Sequence, residues 1–242
     1  MSFLRDGLCA GRLAVFGLAE EVFERVDGGV VKARTVDRIN ATTTPRRPAH
    51  RPSRRNHIVD GAMGLFATIP IDEVTVLDIA AAVEMTPAAV YYHFASKEQI
   101  LLQGMERFGD ALIAEIRAAR PPTRPVDGIK ELLSSVLSFI QKHRQPALVY
   151  FVNSIGLNLQ VEALRRATRI ELVDVIRPAV RAARGRRSIA EAGVIAVGLV
   201  SLIETSAASM LNQDAAYRGL GARGFVANVG SIGNRIAGVD RH

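Results

Sequence analysis

The chain has 242 residues, 48% of them apolar, and a formal net charge of +7. That length holds one small domain and one larger one, with enough apolar side chains for a substantial core. A single cysteine, Cys9, excludes an internal disulfide framework and a cysteine-rich metal site, and no two of the five histidines have the spacing of a helical metal pair. No metal or cofactor is expected.

Residues 1–53 read as an extension ahead of the first domain. Leu13 to Ala19 is apolar and follows Arg12, as in a secretory signal, but Gly17 interrupts it and acids follow in place of a cleavage site. Residues 1–44 read either as a disordered extension, with a marginal amphipathic helix near Leu13–Val26, or as the product of a translation start placed too far upstream. From Pro45 to Arg55 there are five arginines, no acid and three prolines that prevent a helix. Such an arm, ending in Arg54 and Arg55, either follows a phosphate backbone or minor groove, or is a solvated linker.

Thr75 to Lys97, TVLDIAAAVEMTPAAVYYHFASK, contains three helix starts. Thr75 is placed to cap a helix opening at Val76, with Asp78 closing a capping box. Thr86 caps a second helix, with Pro87 at its first position, where the missing N–H costs nothing. Ser96 starts a third, with Gln99 closing another box. Ile79 and Val83 face inward on the first helix, with Ala80 and Ala82 leaving room for a crossing helix, and Val90 and Phe94 match them on the second. The outward residues of the second helix are Ala88, Ala89, Tyr91, Tyr92 and His93, a surface with two adjacent aromatics and no acid. Two short helices and a tight turn have the dimensions of a DNA-binding helix-turn-helix.

Residues 54–101 closely resemble the DNA-binding region of the TetR family of transcriptional repressors. The resemblance is carried by Thr75, Ile79, Ala80, Thr86, Val90, Tyr91, His93, Phe94, Ser96, Lys97 and Glu98, and by the preceding IVDGAMGLFATIPIDEVT. One departure is Glu84, which stands where the family's turn has glycine; a side chain in the left-handed region costs on the order of 1 kcal/mol. By residue type and family position, Thr75, Thr86, Tyr91 and Lys97 are expected at phosphates. Ala88, Ala89, Tyr92 and His93 are expected at base edges. His93 suits a phosphate equally well, and Tyr92 suits a cover over the hinge to the next helix.

Beyond the motif the chain reads as a series of helices, so the fold class is all-α: a helix-turn-helix domain over 54–100, then a larger ligand-binding and dimerisation domain over 101–242. Leu101, Met105, Phe108 and Leu112 form one apolar stripe, on a helix ended by Pro121–Pro122. Ile129 to His143 forms the next helix, Pro146 opens a short apolar one, and Val161–Arg184 a longer one in which Pro178 predicts a kink or break. Phe108, Phe139, His143, Tyr150, Phe151, Asn153 and Asn158 are the candidate ligand contacts, and the absence of charge clusters points to an apolar, largely uncharged effector. Ala192 to Leu211 has Glu204 as its only charge and is long enough for a membrane span. Its small-residue stripe of Gly198, Ser201, Thr205 and Ala208 instead favours close helix packing. With Phe225, Val229, Ile232 and Ile236 on the last helix, it predicts a four-helix dimer interface and no membrane.

The residues and the resemblance together imply a cytoplasmic, ligand-responsive regulator, a repressor by family, that binds a palindromic double-stranded operator as a homodimer. The resemblance implies that an effector in the C-terminal core alters the spacing of the two recognition helices and releases DNA. The alternatives are a helix-turn-helix regulator without an effector and a dimeric small-molecule-binding protein that ignores DNA. No nucleophile elbow, phosphate-binding glycine loop or metal-ligand cluster supports an enzyme.

Overall fold

The structure is a computed structural model and describes residues 54–118, 127–183 and 188–239. The expected extension over 1–53 and the Pro121–Pro122 stop lie outside the described residues. Every regular element among the described residues is helical: α1 (Arg54–Phe66), α2 (Val76–Ala82), α3 (Pro87–His93), α4 (Lys97–Ala118), α5 (Gly128–Lys142), α6 (Arg144–Leu148), α7 (Leu159–Ala183), α8 (Ile189–Asn212) and α9 (Ala215–Ile236).

Helices α2, α3 and α4 begin where side-chain caps allow them. Thr75 accepts from the Asp78 amide at 3.2 Å, while Asp78 accepts from the Thr75 amide at 2.8 Å, so the capping box closes in both directions. These bonds hold the Asp78 carboxyl below the usual carboxylate range, led by the Thr75 hydroxyl. The box therefore holds above the ordinary carboxylate pKa and is lost as pH falls through the lowered one. Thr86 caps α3 through the Ala89 amide at 3.2 Å, with Pro87 opening the helix. At α4 the box is displaced: Ser96 accepts from the Gln99 amide at 3.4 Å, but the Gln99 side chain reaches past it to the Ala95 amide at 3.1 Å. Ile79, Ala80, Val83, Val90 and Phe94 are buried beneath these caps; Ala82 is exposed and makes no room for a crossing helix.

α4 belongs to both halves of the molecule. The expected boundary at 100/101 falls inside it, and its stripe of Leu101, Met105, Phe108 and Leu112 is buried along its length. α1 lies against α4 so closely that a Cβ at Gly104 would stand 2.3 Å from the Met63 sulfur. The remaining helices pack as a bundle, with the broadest contacts between α5 and α9 and between α7 and α8. α9 approaches α5 at Gly233, where a Cβ would stand 2.2 Å from Leu133 Cδ1.

Two helices depart from expectation. α7 runs unbroken through Pro178 to Ala183. Proline removes one backbone donor, and burial of Ile176 and Val180 on either side holds the helix together across the gap. The short apolar helix after Pro146 continues as a π-helical turn over Val149–Asn153. Val149, Tyr150 and Phe151 are consecutive and all buried, which one face of an α-helix does not accommodate, and the wider turn spreads them.

α8 is the one helix among the described residues long and apolar enough to cross a membrane. Here it is a bundle helix between α7 and α9, and Glu204, the one charge beyond its first turn, pairs with Arg169 of α7. The face predicted for a second subunit is divided. Phe225 and Val229 are buried within the chain, a correction to their expected place at a dimer interface, whereas Ile232 and Ile236 remain 37% and 38% exposed. Gly230 and Gly233 turn toward α5 and roll the last two isoleucines to the rim.

Glu84 adopts φ 54°, in the left-handed region where glycine is favoured. Glu84→Gly is expected to raise stability by a few tenths to about 1 kcal/mol in urea denaturation. A loss of stability would mean that the carboxylate, not the turn geometry, sets the conformation.

Candidate nucleic-acid interface

α3 is buried by one edge only, through Val90, and its other side is open. Tyr91 and Tyr92 are 55% and 86% exposed. Ala88 is exposed as well, with Ala89 and His93 at the margin. The Tyr92 ring meets the His93 ring edge-on at 5.1 Å, so these two side chains brace one another at the end of the helix. Thr86 spends an acceptor lone pair on the cap, which leaves its O–H to donate outward. An open helix face with two phenols, a hydroxyl and alanine methyls offers neutral donors to phosphates and small apolar contacts to bases.

Two residues expected at phosphates, Lys97 and Thr75, and Arg55 of the basic arm hold the motif together instead. The Lys97 ammonium donates to the carbonyls of Ile71, Asp72 and Val74 at 2.9, 2.8 and 2.8 Å. All its hydrogens are thereby used on the loop between α1 and α2, which corrects the phosphate role. Thr75 donates its hydroxyl hydrogen to Asp78 at 2.6 Å, leaving none for a phosphate. Arg55, expected at the end of a basic arm, donates from Nη1 to the His93 carbonyl and from Nε to the Gln103 side chain, both at 2.8 Å. Its guanidinium also lies 4.2 Å from the centre of the Phe94 ring. Arg55 grips the last turn of α3 from behind, where a cation also complements the carbonyl end of the helix. Arg54 is exposed at the start of α1.

The candidate ligand contacts separate into two groups. Phe108, Phe139 and His143 line a cleft of about 680 Å³ between α1, α4 and the α5–α6 corner, within the size range of small-molecule sites. Their rings form a series, with His143 4.4 Å from Phe139 and Phe139 5.9 Å from Phe108. Tyr150 and Phe151 stand behind Phe108 in the core, and burial pushes the Tyr150 phenol up. Asn153 corrects differently: its amide donates to the Phe66 carbonyl at 2.8 Å, tying the π turn to the end of α1. Asn158 accepts from the Val161 amide at 2.9 Å at the start of α7.

Arg107, Lys142 and Arg144 also line the cleft, against a single acid, Asp60. The cleft therefore carries a charge cluster, the feature whose absence had pointed to an uncharged effector. The signal was in the sequence: Gly104, Arg107, Phe108 and Ala111 share one helical face, and Lys142–His143–Arg144 is a basic tripeptide at a helix break. Neither shows its partner without the fold, because the α5–α6 corner meets α4 only in three dimensions. On the opposite side of the bundle, Ser201 accepts from Arg169 at 2.8 Å, so that member of the small-residue stripe is tied to α7.

These elements define a helix-turn-helix protein with a helical second domain. Residues 58–103 match the sequence model of bacterial regulatory proteins, tetR family, and it is this helix-turn-helix region that carries the likeness. The HTH-type transcriptional repressor KstR2 of Mycobacterium tuberculosis is 29% identical over 99 residues, covering 40% of this chain and 50% of that protein. The chain thus spans about half the length of the first curated relatives it matches. The HTH-type transcriptional activator FasR of Mycolicibacterium smegmatis is 26% identical over 165 residues, 68% of this chain and 75% of that one. Among solved structures, the fatty acid degradation regulator FadR from Bacillus halodurans shares the fold with a TM-score of 0.63 at 15% identity, covering 78% of this chain and 97% of that one.

The Lys97 geometry sets a test. Lys97→Met strands three carbonyls and is expected to lower stability by about 1–3 kcal/mol in urea denaturation. The salt dependence of DNA binding by the folded variant should match that of the parent, since no phosphate contact is lost.

Proposed function

We propose that the protein is a cytoplasmic transcriptional regulator that binds a palindromic operator as a homodimer and releases it when a small molecule enters the cleft beside α1. The observation that carries this reading is α3 itself: capped at one end by Thr86, gripped at the other by Arg55, and open on the face bearing Tyr91 and Tyr92. A surface that exposes two phenols without an acid on a rigidly held short helix suits a major groove. One such helix reads only a few base pairs, so useful specificity calls for two related by a two-fold axis.

The dimer face is drawn from α8 and α9. Val194 and Val197 are 74% and 45% exposed and lie on the same side as Gly198, against which Ile236 rests. Together with Thr205, Ala208 and Ile232 they form an apolar surface of small and branched residues, suited to close packing with its own copy. Ligand-dependent release follows from the position of the cleft, where a ligand acts on α1 and loosens the hold on α3. Asn153 and Lys97, which fasten the ends of the α1–α2 loop, are the groups through which such a movement reaches the motif.

Binding to DNA upstream of the protein's own gene, measured by electrophoretic shift and footprinting at several salt concentrations, tests the reading. A protected palindrome is expected, with half-sites centred about one helical turn apart. Tyr91→Phe should weaken binding about tenfold with the salt slope unchanged, because one hydrogen bond to a phosphate is lost and no charge. Ile232→Asp should yield folded monomers in sedimentation, with the palindrome no longer protected. A folded Ile232→Asp dimer would place the interface elsewhere.

A further inference from the structure

The cleft beside α1 has an apolar floor and a basic wall. Met63, Phe108 and Phe139 supply the floor, with Gly104 bringing the backbone of α4 close beneath Met63. Of the basic groups, Arg144 is committed, donating to the Leu211 carbonyl at 2.8 Å. Lys142 has no partner among the described residues. Arg107 pairs with Asp60 of α1, but the two side chains are 42% and 59% exposed, so water competes for both. An ion pair this exposed is easily exchanged for a better one.

We propose that the cleft is a site for an anion carrying an apolar body, a carboxylate, sulfonate or phosphate, whose charge takes Arg107 from Asp60 with Lys142 as its second cation. The inference rests on the effector reading above and names the class of effector. The apolar body lies along the Phe139–Phe108 series, whose rings, inclined 34° to one another, continue the aromatic lining toward His143. A guanidinium binds an oxyanion through two parallel N–H groups, a geometry that an incoming anion offers as well as Asp60 does. Once Arg107 turns to the ligand, Asp60 faces a negative charge across the cleft, and the tie between α1 and α4 becomes a repulsion. α1 carries Arg55, so a shift of α1 on α4 moves the grip on the last turn of α3. The ligand therefore favours the arrangement with α1 displaced, which gives it the differential affinity that any conformational shift requires.

The test uses the full chain and two fluorescent probes that share one body: anilinonaphthalene sulfonate, which is an anion, and phenylnaphthylamine, which is neutral. The sulfonate should bind about tenfold more tightly than the neutral dye. Lys142→Gln and Arg107→Gln should each weaken the sulfonate about fivefold or more and leave the neutral dye unchanged. Ala111→Trp, which fills the cleft from its exposed rim, should exclude both. Asp60→Asn removes the competing acid and should tighten the sulfonate, while reducing the further loss of operator affinity that saturating sulfonate causes. Equal affinities for the two dyes, sulfonate binding indifferent to Lys142→Gln, or sulfonate bound normally by Ala111→Trp would each overturn the proposal. A chain that discriminates the dyes as expected but protects no DNA would leave the anion site standing and sink the regulator reading. A chain that protects its palindrome and ignores the sulfonate would do the reverse.

Discussion

α1 lies on α4 with nothing between Met63 and the bare backbone of Gly104, and the rest of the molecule is arranged around that seam. A close helix contact of this kind transmits position because neither surface has slack to absorb a movement. α1 reaches α3 through Arg55, and α4 supplies Gln103 to the same guanidinium, so both sides of the seam hold the recognition helix. The cleft opens along the same line, with Asp60 and Met63 on one bank and Gly104 and Arg107 on the other. The cleft and the open face of α3 are thus separated by one packed contact rather than by the length of the bundle.

The polar groups of the motif divide by what they have left to offer. Thr75 and Lys97 have spent their side-chain hydrogens on the protein, on Asp78 and on three loop carbonyls, and Arg55 commits Nε and Nη1 to Gln103 and the end of α3. Thr86, Tyr91 and Tyr92 keep theirs. A small domain with few buried residues gains rigidity from such internal bonds, since a helix of seven residues is marginal without them. The cations nearest the motif serve its shape, and the surface left for DNA is mainly neutral. In that division Arg55 is a positioning residue: it fixes the direction of α3 without lying on its open face.

The second domain resolves a conflict in its own sequence. α8 is apolar enough to be read as a membrane span, yet Glu204, the acid in its interior, is matched by Arg169 on α7, and Ser201 accepts from the same guanidinium. That pair fixes the register of α8 on α7 at modest cost, because both partners are only partly buried. On the outer side, Val194 and Val197 stand exposed beside the Gly198–Ile236 contact, where a second apolar surface has something to bury.

Local chemistry made much of this legible from residues alone. The caps at Thr75 and Thr86, the inward pairs Ile79–Val83 and Val90–Phe94, the left-handed turn at Glu84 and the stripe on α4 all depend on neighbours within a few positions, and such interactions are written in sequence. The all-helical class followed from the same periodicities. What spacing did not reveal were the partners of long, flexible side chains. Arg55, Lys97 and Asn153 satisfy carbonyls far away in the chain, and Arg107 meets an acid on another helix. Phe225, Val229, Ile232 and Ile236 share one helical stripe, yet only the approach of α9 to α5 through Gly233 decides which of them is core and which is rim. Periodicity gives a helix a face; the packing of neighbouring backbones sets how that face is turned and where each charged side chain finds its counterpart.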